Sequence, residues 1–506
     1  MKFPEINRRR VIGSLAVGGG LAAGGYLLSA KESGIPARRA ISDVLSLDQE
    51  FAGRPPNIIL INCDDLGYGD LGCYGSRAIK TPHIDAMASQ GVRFTDFNAC
   101  DSVCTPSRAG MLTGRYPKRM DLHTPLASNG LSAARKAYYM APFVAGTIVG
   151  LTDYGFLRNA PALNEFEVTL GEALQRRGYQ TAMVGKWHLG DFAVEPRHSP
   201  LNHGFMRFFG VPYSNDMHPF SLFRDRELIE ESIGDISKLT GLYTDEAINI
   251  IEANKDKPFF LYLAHTFPHR PLAASERFKN KSAGGLYGDT VEEIDWNFGR
   301  LMDALKKNGL ERTTLVLFTS DNGPWYDGSP GGLRGRKGQS FEGGFRVPLI
   351  ARWDGTIPQG QICQSPSMNL DLFPTLLSVA GIKLPSDRVI DGVSIAEKLF
   401  NPNAQSAERD LYFHHQGDLE CMRSGDWKYI RDTNHYVWPM PLNKRFGSMS
   451  NHTSGPLPML FNLRSDPDES YNLADRYPDR VKELAARMAQ WDEATGRNPL
   501  GLVKKS

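Results

Sequence analysis

The chain has 506 residues, with 58 basic and 57 acidic side chains and a formal net charge of +1. A chain of this length can bury a large core and suggests two or more domains, and so balanced a charge gives no argument for binding nucleic acid or an anionic membrane surface. The six cysteines are too few for a disulfide scaffold, and none forms a C-x-x-C zinc pair.

The N-terminal segment has the pattern of an export signal. Three arginines, Arg8–Arg10, precede a weakly apolar, glycine-rich run over residues 11–30, which is the order of a signal peptide. The sequence N-R-R-R-V-I resembles the twin-arginine export motif. We therefore expect residues 1–36 to be an export signal, cleaved after Ala30 or a little later, and the mature protein to be periplasmic. A membrane anchor is the alternative, because a run of about 20 residues is just long enough to span a bilayer.

Four short apolar runs predict buried strands, and each is followed by polar side chains capable of chemistry. The runs are Ile58–Ile61, Thr181–Val184, Phe259–Ala264 and Leu315–Phe318. The polar residues that follow them are Asp64 and Asp65, Lys186 and His188, His265 and His269, and Asp321 and Asn322. In open parallel sheets ligands bind outside the carboxyl ends of the strands. We therefore expect these side chains to meet at one edge of a sheet.

The alternation of apolar runs and helical patterns between residues 56 and 381 predicts a doubly wound α/β domain, with a large, mostly parallel sheet sandwiched by helices. The predicted helices are Glu165–Arg177, Glu292–Asn308 and Asp371–Ala380.

After residue 401 the pattern changes to short strands and a final helix, which predicts a smaller α+β domain carrying an antiparallel sheet. The predicted elements are strands at Leu411–His414, Cys421–Ser424 and Trp427–Arg431 and a helix at Tyr477–Trp491. The expected domains are an export signal over residues 1–36, a catalytic α/β domain over residues 37–405 and a C-terminal α+β domain over residues 406–506.

The segment Cys104–Arg115 has the sequence C-T-P-S-R-A-G-M-L-T-G-R. Pro106 suits the first position of a helix, because it lacks the N–H that would be unsatisfied there, and Gly114 can end the helix. Cys104 would then lie at a helix N-terminus, where free N–H groups favour anions. The alternative is a buried structural cysteine in front of a short helix.

Two acidic pairs supply hard oxygen donors. Asp64, Asp65, Asp321 and Asn322 offer the ligands that Ca²⁺ or Mg²⁺ prefers, whereas zinc favours nitrogen or sulfur. Taken alone, each pair could equally be a helix cap or a turn.

Together, the motifs resemble those of the Cys-type sulfatases of the alkaline phosphatase superfamily. The matching stretches are D-D-L-G-Y-G-D, C-T-P-S-R with L-T-G-R, G-K-W-H-L-G, P-H-R-P, S-D-N-G and G-R-K-G-Q-S-F-E-G-G, within a resemblance that extends from residue 56 to about 492. The resemblance implies that a formylglycine-generating enzyme oxidises Cys104 to formylglycine, an aldehyde whose hydrate attacks sulfate esters. It also implies one Ca²⁺, with Mg²⁺ as the alternative, bound by Asp64, Asp65, Asp321, Asn322 and the modified Cys104.

The resemblance further implies an arylsulfatase-like sulfuric ester hydrolase acting on a small-molecule or saccharide sulfate ester. The catalytic residues would be Cys104, Arg108, Lys186, His188, His269 and Lys337. The basic side chains would neutralise the sulfate, His269 or Lys337 would protonate the leaving alcohol, and His188 would act as the base that releases sulfate from a covalent sulfo-enzyme.

Other functions remain open at this stage. A phosphate or phosphonate ester hydrolase of the same superfamily could use the same sheet, but three basic residues with one metal site favour sulfate, because two-metal phosphatases need more carboxylates. A catalytically inactive sulfatase-like binding protein is the second alternative, and an unmodified Cys104 would reveal it.

The segment over residues 137–157 is apolar and carries a single charge, Asp153. It fits either a buried loop or an apolar wall beside the site, and the second possibility predicts activity on aryl or other apolar sulfate esters rather than on sugar sulfates. A membrane span is possible by length, but Pro142 and the position inside the catalytic domain argue against it, so we expect no stable membrane partner.

The export signal makes a testable prediction. Residues 1–36 fused to a reporter should carry it out of the cytoplasm. Changing Arg8 and Arg9 together to lysine should block export, because the twin-arginine transporter recognises that pair. Cell fractionation measures the result. Undiminished export of the lysine variant would indicate a general secretory signal.

Overall fold

A mixed sheet of ten strands forms the centre of the computed structural model, which describes residues 40–47, 54–128, 160–404, 408–433 and 457–503. The strands in the described residues are β1 (Asn57–Cys63), β2 (Val92–Phe94), β3 (Phe97–Asn98), β4 (Gln180–Lys186), β5 (Arg207–Val211), β6 (Leu222–Arg224), β7 (Glu227–Glu230), β8 (Phe259–Ala264), β9 (Thr314–Ser320), β10 (Leu349–Arg352), β11 (Gln361–Cys363), β12 (Ser367–Met368), β13 (Asp410–His415), β14 (Asp418–Ser424), β15 (Trp427–Ile430) and β16 (Met459–Asn462). The α-helices are α1 (Ile41–Val44), α2 (Pro82–Ser89), α3 (Cys104–Thr113), α4 (Leu170–Arg176), α5 (Leu239–Ala253), α6 (Gly285–Lys307), α7 (Glu342–Phe345), α8 (Leu372–Val379), α9 (Ala396–Phe400) and α10 (Pro478–Arg497).

The strand order of the large sheet is β11-β2-β10-β9-β1-β8-β4-β5-β6-β7. Its five central strands, from β9 to β5, run parallel. Antiparallel pairs extend the sheet on both sides, at β10 and at β6. This confirms the predicted class, a large and mostly parallel sheet with helices.

The sheet is covered on both faces, and its central strands carry continuous apolar runs. Alternate residues of β1 point to opposite faces. Ile58 and Leu60 pack in a core with residues of α3, α4 and α8, and Ile59 and Ile61 pack in a second core with residues of α2, α5 and α6. Parallel strands buried on both faces are expected to be continuously apolar, which is why the four runs were visible in the sequence.

All four predicted strands are present and are at most three residues longer than predicted. The helix predicted at Glu165–Arg177 begins later, at Leu170, because Thr169 and Glu172 form a capping box with bonds of 3.2 and 3.0 Å. The helix predicted at Glu292–Asn308 begins earlier, at Gly285.

The C-terminal part forms a separate antiparallel sheet in the order β13-β14-β15-β16, with α10 packed against it through Leu484 and Met488. Three of its strands and the helix were predicted, but β16 was not.

The predicted domain boundary between residues 405 and 406 falls in the undescribed residues 405–407 and stays a prediction. The predicted export signal and the apolar segment over residues 137–157 also lie outside the described residues. Among the helices that are described, none combines the length and apolar character needed to cross a bilayer.

A buried ion cluster joins this sheet to the main domain. Lys428 on β15 lies 3.0 Å from Glu342 and 2.9 Å from Glu469, and all three side chains are fully buried. Burial together with the charge of Glu342 raises the pKa of Glu469 to about 7, against the opposing effect of Lys428. Lys428 is therefore the cation that compensates Glu469, and it shares Glu342 with Arg346.

Replacing this lysine tests the cluster. Lys428→Met should lower the free energy of unfolding by about 3–5 kcal/mol, because removing this partner leaves the charge of Glu469 buried and uncompensated. Thermal and denaturant unfolding measure the change. Lys482→Met, on the exposed face of α10, is the control and should change stability little. Equal stability of the two variants would contradict the compensating role of Lys428.

Candidate active site

The carboxyl ends of four central strands lie side by side at one edge of the sheet. Across β1, Asn62 pairs with Ala264 of β8, and Cys63 pairs with Ser320 of β9. Gly185 of β4 pairs with the same Ala264. The loops that follow these strands therefore begin level with one another, and they bring the predicted side chains into contact.

The acidic residues form a buried cluster. The Asn322 amide nitrogen donates to Asp65 Oδ1 at 2.7 Å. Asp321 Oδ1 accepts from the backbone N–H of Asp65 at 3.2 Å and from that of Asn322 at 2.9 Å. Asp64, from the same loop as Asp65, is also fully buried. All four residues predicted to be oxygen ligands thus lie in one cluster.

This cluster suits a hard divalent cation. Asn322 Oδ1 is buried and accepts no hydrogen bond from the described residues, and such an oxygen calls for a partner. Burial raises the pKa of Asp321 to about 6, with Asp64 and Asp65 acting in the same direction against Arg108. A bound cation would satisfy the amide oxygen and offset the repulsion between the carboxylates.

One group of potential ligands differs from the predicted set. It comprises one ligand atom each from Asp64, Asp65, Cys104 and His269, all within 4.8 Å of one another. The group adds His269 to three predicted ligands and omits Asp321, whose Oδ2 faces Arg108 at 2.8 Å. This group includes sulfur and nitrogen, which are the ligands that zinc favours and which the four predicted oxygen donors lack.

Cys104 is the first residue of α3, and Gly114 ends the helix in the left-handed conformation with φ of +69°. Pro106 is the third residue of the helix and not the first as predicted, but its missing N–H still falls among the four that lack a partner within the helix. Cys104 Sγ lies 3.4 Å from Asp64 Oδ1 and 3.2 Å from Lys337 Nζ. Burial raises the pKa of the Cys104 thiol, so the unmodified side chain is a weak nucleophile.

Arg108, one helical turn after Cys104, links the helix to the acidic cluster. Its Nε and one terminal nitrogen contact Asp321 Oδ2 at 2.9 and 2.8 Å, and its other terminal nitrogen donates to the Lys186 carbonyl at 3.2 Å. Although burial opposes its charge, the carboxylates of Asp321 and Asp64 raise the pKa of Arg108. The guanidinium is therefore permanently charged at the base of the site.

Two lysines face the carboxylates. Lys186 Nζ lies 2.5 Å from Asp64 Oδ2, and Lys337 Nζ lies 2.7 Å from Asp65 Oδ1. Burial disfavours the charge of Lys337, but contact with Asp65 and with Cys104 raises its pKa well above the usual value. The site thus has one lysine in contact with Cys104 and a second lysine in contact with Asp64.

His188 follows β4 in a left-handed backbone conformation with φ of +56°. Its Nε2 lies 2.9 Å from the Leu126 carbonyl, which can only accept, so Nε2 carries the proton. Its Nδ1 is buried and has no hydrogen-bond partner in the described residues. Burial, with help from Lys186, lowers the pKa of His188 well below its ordinary value. The ring is neutral, with Nδ1 as its basic nitrogen.

His269 lies on the opposite side of the cluster, with Nε2 3.8 Å from Asp65 Oδ2. Burial and Lys337 lower the pKa of His269. His265, which the sequence also placed at this edge, is buried outside the group of ligand atoms, and burial lowers its pKa to about 4.

The structure adds two residues to the site, Ser214 and Asn215, in the loop after β5. Ser214 Oγ accepts from Lys186 Nζ at 3.1 Å and lies 3.3 Å from His269 Nδ1, and Asn215 contacts the same nitrogen at 3.0 Å. The available signal was the apolar run over residues 208–211, which ends before polar residues as the four predicted strands do. It was missed because Gly210 interrupts the run and an exposed arginine, Arg207, precedes it.

The comparisons with known proteins agree with this geometry. The family model described as Sulfatase matches residues 56–382, and the model described as N-sulphoglucosamine sulphohydrolase, C-terminal matches residues 336–494. The chain is 35% identical to N-acetylgalactosamine-6-sulfatase of Mus musculus over 87% of each chain. It is 33% identical to steryl-sulfatase of Mus musculus over 87% of this chain and 82% of that one. The crystal structure of PsFucS1 sulfatase from Pseudoalteromonas sp. is 26% identical and superposes with a TM-score of 0.72, covering 88% of this chain and 92% of that one.

Proposed function

Because the chain belongs to the sulfatase family and is a sulfuric ester hydrolase, we propose that it cleaves a sulfate monoester by means of formylglycine made from Cys104. The observation that carries the proposal is the position of Cys104 at the start of α3, 3.4 Å from Asp64 and 3.2 Å from Lys337. A formylglycine-generating enzyme would be its maturation partner, and the mature enzyme would act in the periplasm. The hydrated aldehyde supplies the nucleophile that attacks sulfur.

The metal in this proposal is one Ca²⁺, with Mg²⁺ as the alternative. Asp64, Asp65, Asp321 and Asn322 would hold it through oxygen atoms, which is the donor type both ions prefer. When bound, such a cation stabilises negative charge on the sulfate oxygens as a Lewis acid.

The basic residues bind and orient the sulfate group. Lys186, at the end of β4, contacts Asp64, and Lys337, in the loop before α7, contacts Asp65. Arg108 contacts Asp321 in the same cluster. Their side chains are held in place by the carboxylates before the substrate binds. Preorganised charge of this kind usually makes the largest contribution to stabilising the transition state of such transfers.

The mechanism needs one side chain that accepts a proton and another that donates one. Nδ1 of His188 is the unpaired nitrogen of a neutral ring, so it takes the proton whose loss releases sulfate from the enzyme. On the far side of the cluster, His269 or Lys337 gives a proton to the leaving alcohol, since both side chains lie next to Cys104 or Asp65.

The nucleophile is tested by Cys104→Ala. This variant should lose all turnover of nitrophenyl sulfate while keeping its unfolding temperature, because Cys104 touches polar groups and belongs to none of the described apolar cores. The tryptic peptide of the wild-type protein should show the mass of an aldehyde in place of the thiol. Cys363→Ala, a buried cysteine on β11, is the control and should remain active. An active Cys104→Ala enzyme would rule out the formylglycine mechanism.

The metal is tested by chelation followed by calcium titration. Chelation should lower both activity and unfolding temperature, and added Ca²⁺ should restore both, because an ion that binds only the folded state stabilises it. Asn322→Ala should need more Ca²⁺ for the same recovery. Asn57→Ala, a buried asparagine at the opposite end of β1, should titrate like the wild type. Stoichiometric zinc in the purified enzyme, without calcium or magnesium, would contradict the assignment.

The substrate class is tested with a panel. The apolar segment over residues 137–157 predicts a preference for aryl or other apolar sulfates. The relative named steryl-sulfatase supports this preference, whereas the relative named N-acetylgalactosamine-6-sulfatase supports a sulfated sugar. We expect a higher kcat/KM for nitrophenyl and steroid sulfates than for N-acetylgalactosamine 6-sulfate and other sulfated sugars. A sugar sulfate preferred by several orders of magnitude would show that the segment is only packing.

A further inference from the structure

The ring of His269 is held by acceptors at Nδ1, and Ser214 Oγ lies near both nitrogens, 3.3 Å from Nδ1 and 3.4 Å from Nε2. Nδ1 faces Asn215 Oδ1 at 3.0 Å and makes a still closer contact with the Arg270 carbonyl. A carbonyl can only accept, so Nδ1 carries a proton in every protonation state. The opposite nitrogen, Nε2, therefore faces the cluster, 3.8 Å from Asp65 Oδ2.

The amide of Asn215 can be assigned without ambiguity from its neighbours. Its Nδ2 donates to the backbone carbonyls of His269 at 3.2 Å and of Pro271 at 3.0 Å. Both partners are acceptors only, so the nitrogen must point at them and Oδ1 must point at the imidazole. The side chain thus binds the ring and the backbone of the same histidine loop.

Asn215 is itself firmly placed. It is 2% exposed, and the chain leading to it is bonded to the segment that carries the catalytic lysine and histidine. The backbone N–H of Trp187 donates to the Val211 carbonyl at 3.1 Å, and that of His188 donates to the Pro212 carbonyl at 2.9 Å. The loop after β5 is therefore hydrogen-bonded to the segment after β4. Asn215, in the loop after β5, in turn holds the ring of His269.

The geometry points to Asn215 as the positioning residue that orients His269 for proton transfer to the leaving alcohol, an inference that rests on the proposed function. In the protonated ring Nδ1–H donates to Asn215 Oδ1, and Nε2–H points to the ester oxygen. As the S–O bond breaks, the Nε2 proton passes to that oxygen and the alcohol leaves neutral. The ring is left neutral with its remaining proton on Nδ1, where Asn215 accepts it.

A series of substituted phenyl sulfates whose phenols differ in acidity tests this role. Poor leaving groups need the proton and good ones do not, so Asn215→Ala should reduce kcat/KM most for the least acidic phenols, by about 100-fold if the contribution of the acid is lost. The same variant should change kcat/KM for the nitrophenyl ester little. Asn215→Asp keeps an oxygen facing Nδ1 and should recover part of the loss. The double variant Asn215→Ala/His269→Ala should be no slower than His269→Ala alone.

Asn297→Ala is the matched control. Asn297 is a buried asparagine of α6 whose side chain is hydrogen-bonded to Glu293 and Arg300, neither of which belongs to the site. Its loss should leave the dependence on leaving group unchanged. An equal reduction across the whole series in Asn215→Ala, or additive losses in the double variant, would overturn the role of Asn215.

A second measurement does not depend on turnover. Nitrogen NMR of the histidine-labelled wild-type protein should show His269 protonated at Nδ1, and the Nδ1–H signal should shift in Asn215→Ala, because that proton loses Asn215 Oδ1 as an acceptor while the Arg270 carbonyl keeps it on Nδ1. An unchanged signal would overturn the positioning role. A wild-type enzyme that hydrolyses no sulfate ester would instead contradict the proposed function, so the two failures are distinguishable.

Discussion

Pairing of buried charge at the carboxyl edge of the central sheet is the constraint on which the rest of the structure depends. Three carboxylates and three cations meet there, namely Asp64, Asp65, Asp321, Arg108, Lys186 and Lys337. Each ion alone would cost several kcal/mol to bury, and the three negative charges balance the three positive ones. The balance holds only if β1, β4 and β9 end level with one another and if α3 and the loop before α7 meet them there. The parallel register of the sheet is therefore a requirement of the site.

Much of this arrangement could be predicted from the sequence because parallel strands buried on both faces leave a continuous apolar signature. The runs that became β1, β4, β8 and β9 ended at the polar residues that the structure brings together. Ser214 and Asn215 follow a fifth parallel strand, but β5 begins at an exposed arginine and has a glycine near its end, so its apolar run is interrupted. Ser and Asn after Pro-Tyr also have the composition of an ordinary turn. Their contact with His269 depends on a neighbouring loop that no local pattern encodes.

Helix boundaries show a similar division between local and tertiary causes. The late start of α4 was encoded locally, in the pairing of Thr169 with Glu172, and a search for capping boxes would have found it. The early start of α6 depends on Tyr287 and Val291, which extend its buried stripe against the sheet. The burial of Cys104 is also tertiary. A helix N-terminus is usually exposed, and only the meeting of α3 with the strand ends encloses the thiol between Asp64 and Lys337.

The C-terminal sheet takes part in this site through the segment that carries Lys337. The loop from Arg334 to Gly343 is closed by a hydrogen bond of 2.7 Å from the Gly343 backbone N–H to the Arg334 carbonyl. Both ends are bonded to Glu469, because Arg334 donates to its carbonyl at 2.8 Å and the Glu342 N–H donates to its carboxylate at 2.6 Å. Lys428 neutralises that carboxylate from β15. The second sheet therefore fixes one of the two lysines beside Cys104, and its packing against the main domain is part of how the charges of the site are held in place.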